Sequence, residues 1–219
     1  ATAGTQALCR ILLPDSGRLQ EEKAEYANRK RHTAHAPALP LYDAKDAERV
    51  LRQFEAVGFG APFRIGELEV ELRGAGHILG AAGVTLRSDR TSAHVSGDLG
   101  RTNDILMRAP EPPPAVDWVL MESTYGDRRH TPVDAIEALG EIVERTVSRD
   151  GVLVIPSFAV GRAQTLLYCL DQVFARGLAP RTPVYLNSPM ATDVTDVYRR
   201  YPELHRLSTE QLTDVFGKV

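Results

Sequence analysis

The chain has 219 residues, a net charge of −3 and a hydrophobic content of 43%, which allows one large or two small globular domains and argues against a general polyanion binder. No apolar run approaches the roughly 20 residues of a membrane span, and the opening residues carry no signal-peptide pattern. Cys9 and Cys169 are isolated and lack metal-ligand spacing, so they read as reduced thiols of a cytoplasmic protein.

Residues 1–35 are helical in flavour. Leu8, Ile11 and Leu12 form an apolar stripe that Pro14 should end, and Asp15-Ser16 then suits the cap of a second, polar helix running to about Arg31. Asp43 with Asp46 makes a capping-box-like start for a helix whose Ala47, Val50, Leu51 and Phe54 share a face. Residues 58–66 read as a loop. Leu68, Val70 and Leu72 alternate with charged residues, the period of a half-buried strand that leads into His77. Val84 and Leu86 begin another strand, Asp89-Arg90 makes a hairpin turn, and Ala93 and Val95 lead to Asp98. The proline-rich stretch 109–114 is a stiff connector. Residues 116–121 are almost continuously apolar, as expected of a strand buried on both faces, and they deliver Glu122.

Strand and helix then alternate. Thr131-Pro132 suits a helix start, with Ile136, Leu139, Val143 and Val147 as its stripe. Residues 152–155 and 184–186 read as buried strands. Ala163, Leu166, Leu167, Leu170 and Phe174 mark one helix, and Val194, Val197 and Tyr198 another. A Ser208-x-x-Gln211 start follows. Helices between buried strands imply a parallel sheet with right-handed crossovers. Ser157 and Asn187-Ser188 would then lie at the carboxyl ends of adjacent strands, where open α/β sheets bind ligands.

Three polar residues each follow a strand. His77 lies among glycines in Gly74-Ala75-Gly76-His77-Ile78-Leu79-Gly80, and neutral imidazole is a good zinc ligand. The plainer reading is a loop histidine bonded to a carbonyl. Asp98, in Ser96-Gly97-Asp98-Leu99-Gly100, could bridge two metals or simply make an Asx-turn. Glu122, taken as buried or nearly so, needs a partner. That partner is either a ligand histidine or a salt bridge to Arg128, Arg129 or Arg162. The hydroxyls of Ser123, Thr124 and Tyr125 suit phosphate oxygens or a loop cap. Arginine outnumbers lysine 22 to 4. GC-rich coding explains that bias, so local clusters matter more. Arg29-Lys30-Arg31 fits a solvated helix end, whereas Arg128-Arg129-His130 follows closely on Glu122.

Gly76-His77-Ile78-Leu79-Gly80, Ser96-Gly97-Asp98-Leu99-Gly100 and Glu122-Ser123-Thr124-Tyr125-Gly126-Asp127 resemble consecutive motifs of the metallo-β-lactamase fold in its β-CASP branch of RNA-processing nucleases. The run Pro156-Ser157-Phe158-Ala159-Val160-Gly161-Arg162-Ala163-Gln164 resembles the signature of that branch's inserted domain. Ser188-Pro189-Met190-Ala191 matches a further segment, with Asn187 where the family usually has aspartate. The resemblance implies an α/β protein, with part of a metallo-β-lactamase αββα core over residues 1–126 and part of a β-CASP domain with a parallel sheet over 127–219. It implies a zinc-dependent phosphodiester hydrolase acting on single-stranded RNA. His77 would ligate one of two zinc ions and Asp98 would bridge both. Glu122 would join Asp98 in the catalytic machinery by orienting a histidine of the complete protein. Ser123, Thr124, Tyr125, Ser157 and Arg162 would hold substrate.

Ala1-Thr2-Ala3-Gly4-Thr5 resembles the stretch that follows the family's His-x-His-x-Asp-His motif. That motif and the later histidine segments are absent, so the expectation for this chain alone is weak or absent zinc binding and no nuclease activity. Apolar surface left open by truncation could pair, which keeps a homo-oligomer open. Two other classes share some of these features. One is a hydrolase of small esters or thioesters on the same fold, against which the 157–164 signature argues. The other is a non-catalytic RNA-binding subunit, whose binding would be metal-independent and steeply weakened by salt.

Overall fold

Helix α1 (Ala3–Lys30) starts where Thr2 accepts the Thr5 amide and ends at Arg31, whose left-handed φ of 53° turns its N–H back to Ala27 and Asn28. Pro14 lies inside it, so the expected break and second helix capped by Asp15-Ser16 do not occur. Proline removes one backbone donor, but the turns on either side survive when tertiary packing holds them. The packing here is with α2 (Ala44–Leu51). Gly17 of α1 approaches the Asp43 and Ala44 backbone so closely that a Cβ would lie 2.7 Å away. The expected capping box of α2 is present, with Asp43 Oδ1 accepting the Asp46 amide at 2.7 Å and Asp46 Oδ2 accepting the Asp43 amide at 3.2 Å. The helix stops before Phe54. Its carbonyl instead accepts the Gln6 side-chain amide at 3.1 Å.

The structure, a computed structural model, describes residues 1–129 and 133–216. The chain divides into two compact units, Ala1–Gly58 and Phe59–Val219. Helices α1 and α2 belong to the first, and everything below to the second.

A five-stranded sheet runs in the order β1 (Phe63–Ile65), β2 (Leu68–Gly74), β3 (Ala82–Arg87), β4 (Ser92–Val95), β5 (Trp118–Leu120). The first three pairings are antiparallel and the last is parallel. Strand β1 falls where a loop was expected. Gly66, with a φ of 59°, closes the tight turn that pairs β1 with β2. The β3–β4 hairpin turns at Asp89-Arg90 as expected, held by Ser88 Oγ, which accepts the Thr91 amide at 3.1 Å. Strand β5 departs from expectation. Trp118, Val119, Leu120 and Met121 are 67, 54, 57 and 69% exposed. It is the sheet's edge, paired only with β4 among the described residues.

Helices α3 (Ala135–Val147), α4 (Arg162–Ala175) and α5 (Pro189–Arg200) follow their predicted stripes, and α6 (Thr209–Phe216) follows its predicted Ser208 start. The expected start at Thr131-Pro132 lies outside the described residues, and the cap is Asp134, which accepts the Ile136 and Glu137 amides. The α3 and α4 stripes meet in a core of Ile136, Val143, Cys169, Leu170 and Val173. Ser208 and Gln211 make the reciprocal cap of α6.

Residues 152–155 and 184–186 are not strands. Neither forms a ladder among the described residues, and a buried strand needs partners for its backbone. Both segments line a cavity of about 860 Å³ against α3 and α4. Val152 and Val154 are 86 and 78% exposed while Leu153 and Ile155 are each 37% exposed. The apolar run that was expected to be a buried strand is therefore exposed, Val152 and Val154 more than Leu153 and Ile155. The mixed α/β class holds, and its parallel pairing is β4 with β5.

Candidate active site

The polar landmarks stand on loops that lock together through glycines. After β2 the chain turns at Gly76, where φ is 65°, and returns at Ala81, whose carbonyl accepts the Ala75 amide at 2.9 Å. After β4 the chain passes Asp98 and docks on that loop, the Gly100 amide donating to Ala75 O at 2.8 Å. A Cβ on Gly100 would lie 1.9 Å from Gly76 O, and one on Gly76 would lie 2.3 Å from Arg108 O. Backbone stacked this closely leaves no room for a side chain, which is the physical reason for glycine at 76 and 100.

This docking sets His77 against Asp98. The imidazole Nε2 and carboxylate Oδ2 are 3.9 Å apart, with side chains 46 and 77% exposed. One zinc ion bonded to each at about 2.0–2.2 Å can span that separation. Both side chains are acceptors of the right kind, so the pair fits as part of a metal site. Two ligands do not make a complete one, and among the described residues no group of three or more His, Cys, Asp or Glu side chains is placed to hold an ion.

The parallel pairing carries Glu122 to the same place. Beyond the β4–β5 ladder the Ser96 amide donates to Leu120 O at 2.9 Å, and Ser96 Oγ accepts the Glu122 amide at 3.1 Å. Glu122 is half-buried rather than buried, and it pairs with none of Arg128, Arg129 or Arg162 among the described residues. Its Oε1 accepts the Leu99 amide at 2.8 Å and its Oε2 the Thr124 amide at 3.3 Å. The Leu99 amide, then Thr124, and the nearby His77 ring hold this carboxyl below the usual glutamate range. Glu122 therefore stays charged, and it ties the residue after Asp98 to the turn that follows β5. Sequence reasoning missed this backbone anchor, because main-chain partners leave no side-chain signal.

Ser123, Thr124 and Tyr125 are exposed on that turn. Arg128 is occupied by Asp127, with Nε to Oδ1 at 2.8 Å, and lies 5.9 Å from the centre of the Tyr125 ring. His130 lies outside the described residues. Ser157 and Arg162 are exposed on the turn that opens α4. That turn adjoins the His77 loop, since a Cβ on Gly161 would lie 3.4 Å from Ile78 Cγ2. Ser188 accepts the Ala191 amide at 3.2 Å as the cap of α5, rather than closing a strand.

Residues 163–219 match the pattern described as the Beta-Casp domain. The chain is 35% identical over 213 residues to a protein of Thermus thermophilus named as a ribonuclease, a match covering 97% of this chain and 44% of that relative. The chain is thus similar to β-CASP proteins, with the Beta-Casp domain match confined to its last quarter. It is also 35% identical over 164 residues to cleavage and polyadenylation specificity factor subunit 3 of Dictyostelium discoideum, covering 74% of this chain and 21% of that protein. A transcription termination factor of Pyrococcus horikoshii is 33% identical over 182 residues, covering 79% and 28%. The chain thus spans less than half the length of these relatives. Among the described residues, no helix of this chain is long and apolar enough to cross a membrane.

Proposed function

We propose that this chain supplies part of a metal-dependent phosphodiester hydrolase that cleaves single-stranded RNA in the cytoplasm. The observation that carries the reading is the convergence of His77 and Asp98 at 3.9 Å on interlocked loops, in a chain similar to a protein named as a ribonuclease. Residues 1–126 are assigned to the metallo-β-lactamase core and 127–219 to the β-CASP domain. In the complete protein His77 would hold one of two zinc ions and Asp98 both. Such ions, when bound, activate water and neutralise charge on phosphoryl oxygens.

The chain's own residues do the positioning. The Glu122 carboxylate anchors the Leu99 amide and so fixes the backbone beside Asp98. In the complete protein it would also orient a ligand histidine. Ser123, Thr124, Tyr125 and Ser157 offer hydroxyls to phosphate oxygens. Arg162 offers a fork of donors and makes no ion pair among the described residues. Unpaired bases that can be splayed out suit such an open, polar turn better than a duplex does.

Two measurements test this. The longest natural form of the polypeptide should carry stoichiometric zinc by elemental analysis and cleave single-stranded RNA. Asp98→Ala should lower that cleavage by roughly a thousandfold or more, the scale of losing a catalytic metal's contribution. Thioester hydrolysis without RNA cleavage would overturn the substrate class. Two equivalents of zinc on residues 1–219 alone would overturn the view that this chain holds only part of the site.

A further inference from the structure

Phe158 stands apart from the other phenylalanines. The chain has six. The other five are buried or half-buried, whereas Phe158 is 84% exposed. Burying such a ring gains about 1.5–3 kcal/mol, so leaving it in water needs a reason. Among the described residues no other ring or cation stacks on it.

A floppy loop is not that reason, because the turn beneath is built from the inside. Gln164 is fully buried, at 0% exposure. Its Oε1 accepts the Gly161 amide at 2.8 Å. Its Nε2 faces Ala159 O at 3.1 Å and Thr195 Oγ1 at 3.0 Å. The Ala163 amide donates to Phe158 O at 3.2 Å, and the Arg162 amide to Val160 O at 2.9 Å. Gly161 sits at a φ of 77°, which other residues adopt only with strain. Main chain is thus pinned at Phe158 and at each of the next residues while the ring is held outward. The same turn carries exposed Arg162 and abuts Ile78, the neighbour of His77. An aromatic face beside a cation is the pairing that binds single-stranded nucleic acid, with stacking worth about 1–3 kcal/mol per base.

We propose that Phe158 is a base-stacking residue, whose ring receives one unpaired base of the RNA strand while Arg162 holds a neighbouring phosphate beside the His77 loop. The inference rests on the proposed RNA-cleaving function and adds to it the residue that grips the base. An apolar ring of this kind could instead be covered by protein, and the choice of variants separates the two cases.

The test uses the longest natural form of the polypeptide with Phe158→Ala, Phe158→Leu, Phe158→Tyr and Phe158→Trp. Binding of single-stranded RNA is measured without added metal, and steady-state cleavage with it. Stacking predicts that Ala and Leu weaken binding about 5- to 150-fold, the range equivalent to one stacked base. The loss should fall on KM more than on kcat, and Tyr and Trp should restore binding to within about threefold. An RNA with one abasic sugar walked along the strand should lose affinity for the parent at one position, and lose nothing more there with Phe158→Ala. Full binding by Phe158→Leu, or no position-specific abasic effect, overturns the proposal. RNA that is bound but not cleaved overturns the hydrolase reading alone, and RNA that is neither bound nor cleaved overturns both.

Discussion

Gly100 and Gly76 are where one added methyl group costs the candidate site most. Gly100→Ala would place a Cβ 1.9 Å from Gly76 O, and the offending atom is backbone that cannot rotate away. We expect a loss of about 3 kcal/mol or more in stability, in the range that marks a disrupted special backbone position. Urea unfolding monitored by far-UV circular dichroism would show it, and an unchanged midpoint would mean that these loops are not interlocked as described. Glu122 makes a subtler contribution. It was legible as a carboxylate beside a predicted strand, but its Leu99 amide partner was not, because amides carry no sequence identity.

His205 supplies the pH dependence. It is 1% exposed, its Nε2 lies 3.0 Å from Tyr198 O, and its Nδ1 accepts the Leu207 amide at 3.2 Å. Burial pushes its pKa down, against upward pulls from Tyr198 O and then Glu203, with Arg108 adding a smaller downward push. Burial also lowers His94, with Arg73 assisting and Glu71 opposing. The unfolded chain therefore binds more protons than the folded one, so stability rises with pH. This contribution is complete above the unfolded value of about 6.5 and is lost as pH falls through the folded values below it. His205→Gln should flatten the decline in urea midpoint between about pH 7 and pH 5, leaving the His94 share. A stability that increases toward pH 5 would contradict the assignment.

Elements show where local rules yield to packing. The proline rule predicts a break in α1, and α2 packing against Gly17 prevents it. Pro14→Ala should restore a backbone donor and raise stability by about 1–3 kcal/mol, read as a higher thermal midpoint. A lower midpoint would mean that the proline is needed for the helix path. The caps at Asp43 and Ser208 were readable because their partners lie three residues away in the chain. That residues 152–155 and 184–186 form no ladder among the described residues was not readable, because an apolar run says that a segment wants partners without saying whether any are in reach. Gln164 lies between these extremes. Its position in the family-like signature was visible, but its bond to Thr195 depends on α5. Gln164→Leu leaves the Gly161 amide without its acceptor and should cost about 1–3 kcal/mol.

At the scale of the whole molecule, the exposed apolar segments predict self-association. Strand β5 is a sheet edge paired on one side only among the described residues, and Val152, Val154 and Tyr185 are 86, 78 and 87% exposed. Open edges and apolar patches of this kind pair or aggregate. Sedimentation velocity of residues 1–219 should show concentration-dependent species. Val119→Lys with Val154→Lys should reduce them, and a monomer at all concentrations would refute the prediction. Sequence by itself determined the helices after α1, the β2–β4 meander and the residue types of the site, because periodicity, caps and turn chemistry act over a few neighbours in the chain. Tertiary structure alone decided which loops interlock, that His77 faces Asp98, that Glu122 binds backbone, and that Phe158 stands in water, because each depends on atoms brought together from distant parts of the chain.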